Sequence, residues 1–282
     1  MIYAALILLA VGGVDLVRTV FRRAGATPLT VGFGVVMVLA VLLGLLAGAP
    51  AAGIAGAVVA GLWLWLMPDR GHSPVSIWPA AGVGVLSALS ILLVPAEHGT
   101  GAFGRLEITS PLGELTLPGV LMMVGALAYL LESANVVVRA ALERENIAPS
   151  PDPVDEAEAE AEAVAEAQAA MVAVAEPPPS APVAEAVPAP SPVVQPALAP
   201  GQVMRGGRLI GPLERAIVFG LTLAAAYPLL AAFIAAKGIV RFPEISRDGD
   251  GGDRAEYFLV GSMVSWVQAL SGAFLVWWGL RS

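Results

Sequence analysis

The most organised polar residues of this apolar chain lie near its middle. Glu132, Asn135, Arg139 and Glu143 are spaced by three and four residues, which stacks them on one face of an α-helix. A carboxylate in such a row could carry a proton or an ion, with Glu132 as the carrier. The same spacing also fits the end of a helix that leaves the lipid and pairs with nearby loops. We favour this second interpretation, because Arg139 and Glu143 fall near the predicted membrane boundary.

A second set of charged residues lies in the last third of the chain. It comprises Glu214, Arg215, Lys237, Arg241 and Glu256. Charged groups inside a bilayer are costly and need partners, and the topology argued below places all five near one membrane face. We therefore predict that they form one interhelical cluster of ion pairs.

Two other polar patterns favour a structural role. Asp15 and Arg18 lie one helical turn apart, so we expect a local ion pair. Small and polar side chains follow one another at spacings of four, three and four in the last apolar stretch (Gly261, Ser265, Gln268, Gly272). That pattern is typical of helices that pack closely in a membrane, and Gly53, Ala57 and Gly61 repeat it.

Signatures of enzyme chemistry are missing from the sequence. The chain has no cysteine, which excludes disulfides, thiolate metal sites and cysteine nucleophiles. A Ser-His-Asp order, a zinc motif and a glycine-rich phosphate loop are also missing. We therefore predict a non-enzyme with no catalytic, cofactor-binding or metal-binding residues and with no cofactor.

The composition identifies the elements that must position these residues. Hydrophobic residues make up 57% of the chain and charged residues 13%, about half the charged fraction of a soluble domain. The apolar residues come in runs near the length that crosses a bilayer. We predict an all-α, polytopic transmembrane bundle with about seven to eight membrane segments, embedded in a lipid bilayer.

Residues 1–142 are predicted to form a first part with five spans. The spans are Ile2–Phe21, Leu29–Gly48, Ala51–Met67, Val75–Val94, which Pro79 could kink, and Pro118–Val138. Arginines follow the first and the fifth span, so the positive-inside rule places the N-terminus outside. Residues 95–117 are too polar to span and predict two short strands around a turn, on the outer side.

Residues 143–206 interrupt the membrane pattern. They contain eleven acidic and two basic residues, a charge of −9 within a chain of net charge −8. An Ala/Glu block followed by a Pro/Ala/Val stretch cannot bury a core, so we predict a disordered cytoplasmic linker. Its placement between two membrane parts indicates a cytoplasmic protein partner.

Residues 207–282 are predicted to form a second membrane part. Leu209–Ala226 and Leu229–Val240 fit one long helix, a hairpin or a re-entrant helix, and the basic residues that follow favour the hairpin. Ala255–Leu280 forms the last span. The side of the C-terminus is left open.

Three blocks of this last part carry a resemblance. The blocks GRLIGPLERAIVF, AAKGIVRF and AEYFLVGSMVS resemble the signature of a bacterial integral-membrane family of unknown function, over residues 207–272. The shared positions include Gly211, Leu213, Glu214, Arg215, Lys237, Arg241, Phe242, Glu256, Tyr257, Gly261 and Ser265. The resemblance implies a common folding unit and no catalytic activity.

Two functions remain open at this point. The first is a non-enzymatic anchor or scaffold of the bacterial inner membrane, whose linker recruits a partner. The alternative is a small transporter or channel that uses the polar groups of the fifth span. No basic patch of the kind that binds nucleic acid is present, and the sequence does not define the oligomeric state.

Overall fold

The computed structural model describes residues 1–21, 26–68, 77–94, 107–110, 113–144, 207–245 and 253–281. Its α-helices are α1 (Ile2–Val20), α2 (Ala26–Leu46), α3 (Pro50–Leu66), α4 (Trp78–Leu93), α5 (Leu117–Ala128), α6 (Ala134–Arg144), α7 (Gly207–Leu223), α8 (Tyr227–Ile245) and α9 (Asp253–Gly279). A π-helical turn, Tyr129–Ser133, joins α5 to α6. Within the predicted linker, residues 143–206, the structure describes only Glu143 and Arg144 at the end of α6. Residues 145–206 lie outside the described residues, so the disorder of the linker stays a prediction.

Four helical stretches are long and apolar enough to cross a membrane. They are Ile2–Val20, Thr27–Leu46, Leu117–Arg144 and Phe258–Gly279, and shorter apolar helices cover Pro50–Leu66, Trp78–Leu93 and Tyr227–Ile239. The prediction of a helical membrane protein is confirmed at this level.

Proline and glycine set the helix boundaries. Pro50 begins α3 in its first turn, where a proline costs no backbone hydrogen bond. Gly48, with φ of 77°, turns the chain between α2 and α3. In α4, Pro79 lies in the first turn, so the predicted kink at Pro79 is wrong and the proline starts the helix instead.

Helix α1 lies at the centre of the bundle and packs against α2, α3, α4 and α5. Glycines allow this packing, because a β-carbon built on Gly56 of α3 would lie 2.8 Å from the Leu6 carbonyl oxygen. One built on Gly125 of α5 would lie 2.7 Å from the Ala5 carbonyl oxygen. Backbones that approach this closely are typical of packed membrane helices.

Helices α7 and α8 form an antiparallel hairpin. Ala225 has a positive φ of 53°, and the amide of Ala226 donates to the Leu221 carbonyl oxygen at 2.9 Å, as in a Schellman helix end. Across the hairpin, Lys237 of α8 pairs with Glu214 of α7. Of the alternatives left open by the sequence, the structure contains two helices, and α8 extends to Ile245, five residues beyond the predicted Val240.

A short strand pair precedes α5. Strands β1 (Glu107–Ser110) and β2 (Gly113–Thr116) pair antiparallel, with Ile108 opposite Leu115. The side of the membrane on which this pair lies stays a prediction.

The start of α1 and the end of α9 lie at the same end of the bundle. A β-carbon built on Gly279 would lie 3.3 Å from Cγ of Met1 and 3.6 Å from Cδ1 of Ile91, near the end of α4. Residues from both sides of the linker belong to one compact unit, Met1–Ala148 with Arg208–Ser282. The two membrane parts distinguished in the sequence therefore pack together, while their exact boundaries stay a prediction.

Candidate functional site

Polar side chains from six elements meet at one level of the bundle. We call this set the polar layer, and it consists of Asp15, Arg18, Thr19, Trp63, Tyr129, Glu132, Ser133, Asn135, Arg215, Ser265 and Gln268. The sites predicted in the first and second membrane parts contribute to the same layer, because Arg215 of α7 contacts Leu130 of the π turn and Asn135 of α6, and α9 packs against α6.

Asp15 and Arg18 form the α1 portion of the layer. The Arg18 guanidinium lies 2.9 Å from the Asp15 carboxylate, and both side chains are buried. This confirms the predicted local ion pair. The other Asp15 oxygen accepts a hydrogen bond from Nε1 of Trp63 on α3 at 2.8 Å, so the pair also joins α1 to α3.

Arg18 has a second role at the end of α3. Its guanidinium donates to the carbonyl oxygens of Met67 at 2.7 Å and Leu64 at 3.1 Å. Carbonyls at a helix C-terminus lack partners within the helix and carry partial negative charge, so an arginine there satisfies both needs. Arg18 thus fixes the height of α3 against α1.

We expect Trp63→Phe to lower the free energy of unfolding by about 1.5–3 kcal/mol, because the buried Asp15 carboxylate loses a hydrogen-bond donor. Unfolding by a denaturing detergent, followed by circular dichroism, measures this. Trp65→Phe is the matched control, since Trp65 is 76% exposed. Equal losses in the two variants would contradict a specific role for the Trp63 indole.

The π turn contributes Glu132 and Ser133. The Thr19 hydroxyl of α1 donates to Glu132 Oε2 at 2.8 Å, and the Ser133 hydroxyl donates to the Val11 carbonyl oxygen at 3.3 Å. Glu132, the predicted ion carrier, is therefore held against α1.

Arg215 of α7 makes the longest-range contacts of the layer. It is 2% exposed. Its Nε donates to the Leu130 carbonyl oxygen at 2.6 Å, and Nη1 donates to the Ser265 hydroxyl of α9 at 3.2 Å. Nη2 donates to the Asn135 side-chain oxygen of α6. One planar guanidinium thus joins α7 to the π turn, α6 and α9, as the fixed fork of an arginine allows.

The π turn explains how Leu130 can accept this bond. In a continuous α-helix the amide of Ala134 would donate to the Leu130 carbonyl oxygen. Here it donates to the Tyr129 carbonyl oxygen, five residues back, and Arg215 takes the place of the missing donor. Irregular turns of this kind occur often at functional positions in helices.

The remaining predicted site residues are divided among several environments. Lys237 pairs with Glu214, and its ammonium lies 5.4 Å from the ring centroids of both Phe258 and Trp266. Glu256 is exposed and Arg139 is half-buried. The Arg241 side chain lies outside the described residues. The single cluster of five charged residues stays a prediction for that reason, and Arg215 binds neutral acceptors.

The predicted polar stripe does not face a single neighbouring helix. It comprises Glu132, Asn135, Arg139 and Glu143. Glu132 contacts α1, whereas Asn135 contacts Arg215 of α7. The π turn ends between these two residues and changes the helical phase, which sequence spacing cannot report. Trp63, Thr19 and Ser133 carry no polar periodicity of their own, and sequence reasoning missed them.

Small residues contribute unequally to packing. Gly53 makes a close approach, since its β-carbon would lie 2.6 Å from the Ala40 carbonyl oxygen. Gly61 and Gly272 make only ordinary contacts, at 3.6 and 3.5 Å. Gln268 receives a long hydrogen bond from Tyr129, at 3.4 Å. Ser265 and Gln268 thus belong to the polar layer as well as to the α9 interface.

The hydrogen bonds of the polar layer join neighbouring helices to one another. Among the described residues, no three His, Asp or Glu side chains lie close enough to share a metal ion. Long apolar helices around an inward-facing polar layer define the class as a helical membrane protein. Comparison with protein-family models, curated proteins and solved structures gives no match, so the resemblance over residues 207–272 stays a prediction.

Proposed function

We propose that this chain is a non-enzymatic membrane anchor that holds its acidic linker, residues 143–206, at one face of the bilayer by both ends. The observation that carries this proposal is the packing of Met1–Ala148 and Arg208–Ser282 into one unit. Arg215 adds to it, because its bonds to Leu130 and Asn135 join the helix after the linker to the helix before it.

The use of the polar groups also supports an anchor. Glu132, Asn135 and Arg215 all contact neighbouring helices, which is what a structural brace requires. A transporter or channel is the alternative, and the break between α7 and α8 favours it, since interrupted helices often mark transport sites.

A flux measurement separates the two functions. The purified chain is placed in vesicles that contain a pH-sensitive dye, and a proton gradient is imposed. An anchor leaves the decay of the gradient equal to that of empty vesicles. A faster decay that Glu132→Gln abolishes would contradict the anchor and establish the transporter.

The recruitment step requires contact between the linker and a cytoplasmic protein. We expect a photo-crosslinking amino acid at Ala170 or Val194 to form a discrete protein adduct in intact membranes. The same group at Val35, which is 51% exposed on α2, serves as the lipid-facing control. Absence of an adduct at every tested linker position would contradict recruitment.

We place the protein in the bacterial inner membrane with seven to eight segments, the N-terminus outside and the linker in the cytoplasm. Arg18 lies far from Met1 along α1, and Arg144 ends α6 beside the linker, as the positive-inside rule requires. Gly279 lies beside Met1, which supports an outside C-terminus. An impermeant maleimide should label Ser282→Cys but not Arg247→Cys on intact cells. The reverse pattern would invert the orientation.

A further inference from the structure

Two neighbours of α1 are shorter than an ordinary membrane span. Helix α3 has 17 residues and α4 has 16, about 25 and 24 Å at the rise of an α-helix. Prolines set both limits, since Pro50 and Pro79 lie in the first turns, and Pro68 and Pro95 follow the ends. A residue before proline disfavours helical geometry. The short lengths are therefore encoded in the sequence.

The outward sides of these helices carry a lipid-facing pattern bounded by tryptophan. On α3, Ile54, Val58 and Leu62 are exposed at a spacing of four residues, and Trp65 follows at 76% exposure. On α4, Trp78 is 64% exposed at the start of the helix. Exposed tryptophans in membrane proteins prefer the boundary between hydrocarbon and water. Each of these tryptophans thus marks a boundary between hydrocarbon and water.

Both tryptophans lie at the same end of the bundle. Trp65 is next to Leu64, whose carbonyl binds Arg18 at the far end of α1. Trp78 begins α4, and Ile91 near its other end lies beside Gly279, which also approaches Met1. The two helices therefore cross the same apolar layer from the same boundary.

The thickness of that layer follows from the helical rise. Pro50 and Trp65, like Trp78 and Leu93, are separated by about 22 Å along their helices. A typical bilayer has a hydrocarbon core of about 30 Å. We call the exposed apolar sides of α3 and α4 the α3–α4 face. The apolar length of this face is thus several ångströms shorter than the hydrocarbon thickness of a typical bilayer.

Two observations away from this face give a similar depth. Asp15, the first charged residue of α1, lies about 20 Å along the helix from Ile2. The apolar part of α8, Tyr227–Ile239, is also about 20 Å long, and Tyr227 at its start is 62% exposed. The depth of Asp15 in α1, the apolar length of α8 and the lengths of α3 and α4 therefore all indicate a thin apolar zone.

We propose that the α3–α4 face binds phospholipids with short acyl chains and thins the bilayer around the protein. Short helices lower the cost of mismatch by thinning the membrane, while longer helices such as α2 and α9 adapt by tilting. The inference does not depend on recruitment by the linker. It adds that the anchor prefers thin regions of the membrane.

Unfolding in bilayers of defined thickness tests the proposal. The full chain is placed in nanodiscs of phosphatidylcholine with myristoleoyl, palmitoleoyl, oleoyl or eicosenoyl chains, and heated while helicity is followed. The midpoint should be highest with the two shorter chains and fall by several degrees with eicosenoyl chains. A maximum with oleoyl or eicosenoyl chains, or no dependence on chain length, would overturn the proposal.

A variant and a depth measurement test the boundary itself. The double variant Trp65→Leu and Trp78→Leu should move the optimum to longer chains, and an unchanged optimum would overturn the assignment of these tryptophans. Because the chain has no cysteine, single spin labels at Trp65→Cys and Leu93→Cys report depth directly. In oleoyl bilayers both labels should lie at the interface, and a label deep in hydrocarbon at either position would contradict local thinning.

Discussion

Arg215→Leu is expected to lower the free energy of unfolding by about 3 kcal/mol or more. The substitution leaves the Leu130 carbonyl, the Ser265 hydroxyl and the Asn135 amide without their donor, and each unsatisfied buried group costs about 1–3 kcal/mol. Arg215→Lys should recover little, because an ammonium cannot reach three acceptors in the directions of a planar guanidinium.

The loss of stability in Arg215→Leu should be greatest at α7, so the accessibility of a buried residue of α7 can measure it. Val218 of α7 is fully buried, and the chain has no other thiol that could react with a probe. A cysteine at Val218 should react slowly with a maleimide in the parent chain and many times faster beside Arg215→Leu.

Thr222→Val provides the matched control for Arg215→Leu. The Thr222 hydroxyl donates to the Val218 carbonyl oxygen within α7, so its loss removes no contact between helices. The Val218 cysteine should stay protected in this background. Equal reactivity in the Arg215→Leu and Thr222→Val backgrounds would show that Arg215 does not hold α7 in place.

Local signals explain how much of the fold could be predicted from the sequence. Apolar runs and prolines lie within the segments that they define, so the order of helices and most of their ends follow from them. The Asp15–Arg18 pair is local in the same sense. Trp63, which donates a hydrogen bond to this pair, lies 48 residues from Asp15. No spacing pattern in the sequence connects Trp63 with Asp15.

The contacts of Arg215 show where sequence reasoning stops. Its acceptors Leu130, Ser265 and Asn135 lie 85, 50 and 80 residues away in the sequence. The first acceptor is a backbone carbonyl, and the other two are neutral side-chain groups. A search for opposite charges therefore placed Arg215 in one predicted cluster with Glu214 and Glu256 instead. The π turn adds to the difficulty, since the sequence from Tyr129 to Ser133 has no proline or glycine to mark an irregular turn.

Gly12→Ala is the second substitution with a large expected effect. A β-carbon on Gly12 of α1 would lie 2.5 Å from the Tyr129 nitrogen and 2.6 Å from the Ala128 carbonyl carbon. These are backbone atoms at the junction of α5 and the π turn, so they cannot move aside as a flexible side chain would. Overpacking of this kind costs about 1–3 kcal/mol, occasionally more, and we expect the upper part of that range in detergent unfolding.

Gly34→Ala is the control for Gly12→Ala, because nothing lies within 4 Å of its β-carbon position on α2. It should raise stability by about 0.5–1 kcal/mol, the usual gain of alanine over glycine inside a helix. Gly12→Ala should also expose a cysteine at Val218, since displacement of the π turn moves the Leu130 carbonyl away from Arg215. Loss of stability without exposure of Val218 would show that the close approach of α1 and α5 is independent of the α7 contact. Exposure in both the Gly12→Ala and Arg215→Leu backgrounds would instead establish that the α1 backbone, the π turn and Arg215 form one mechanical unit.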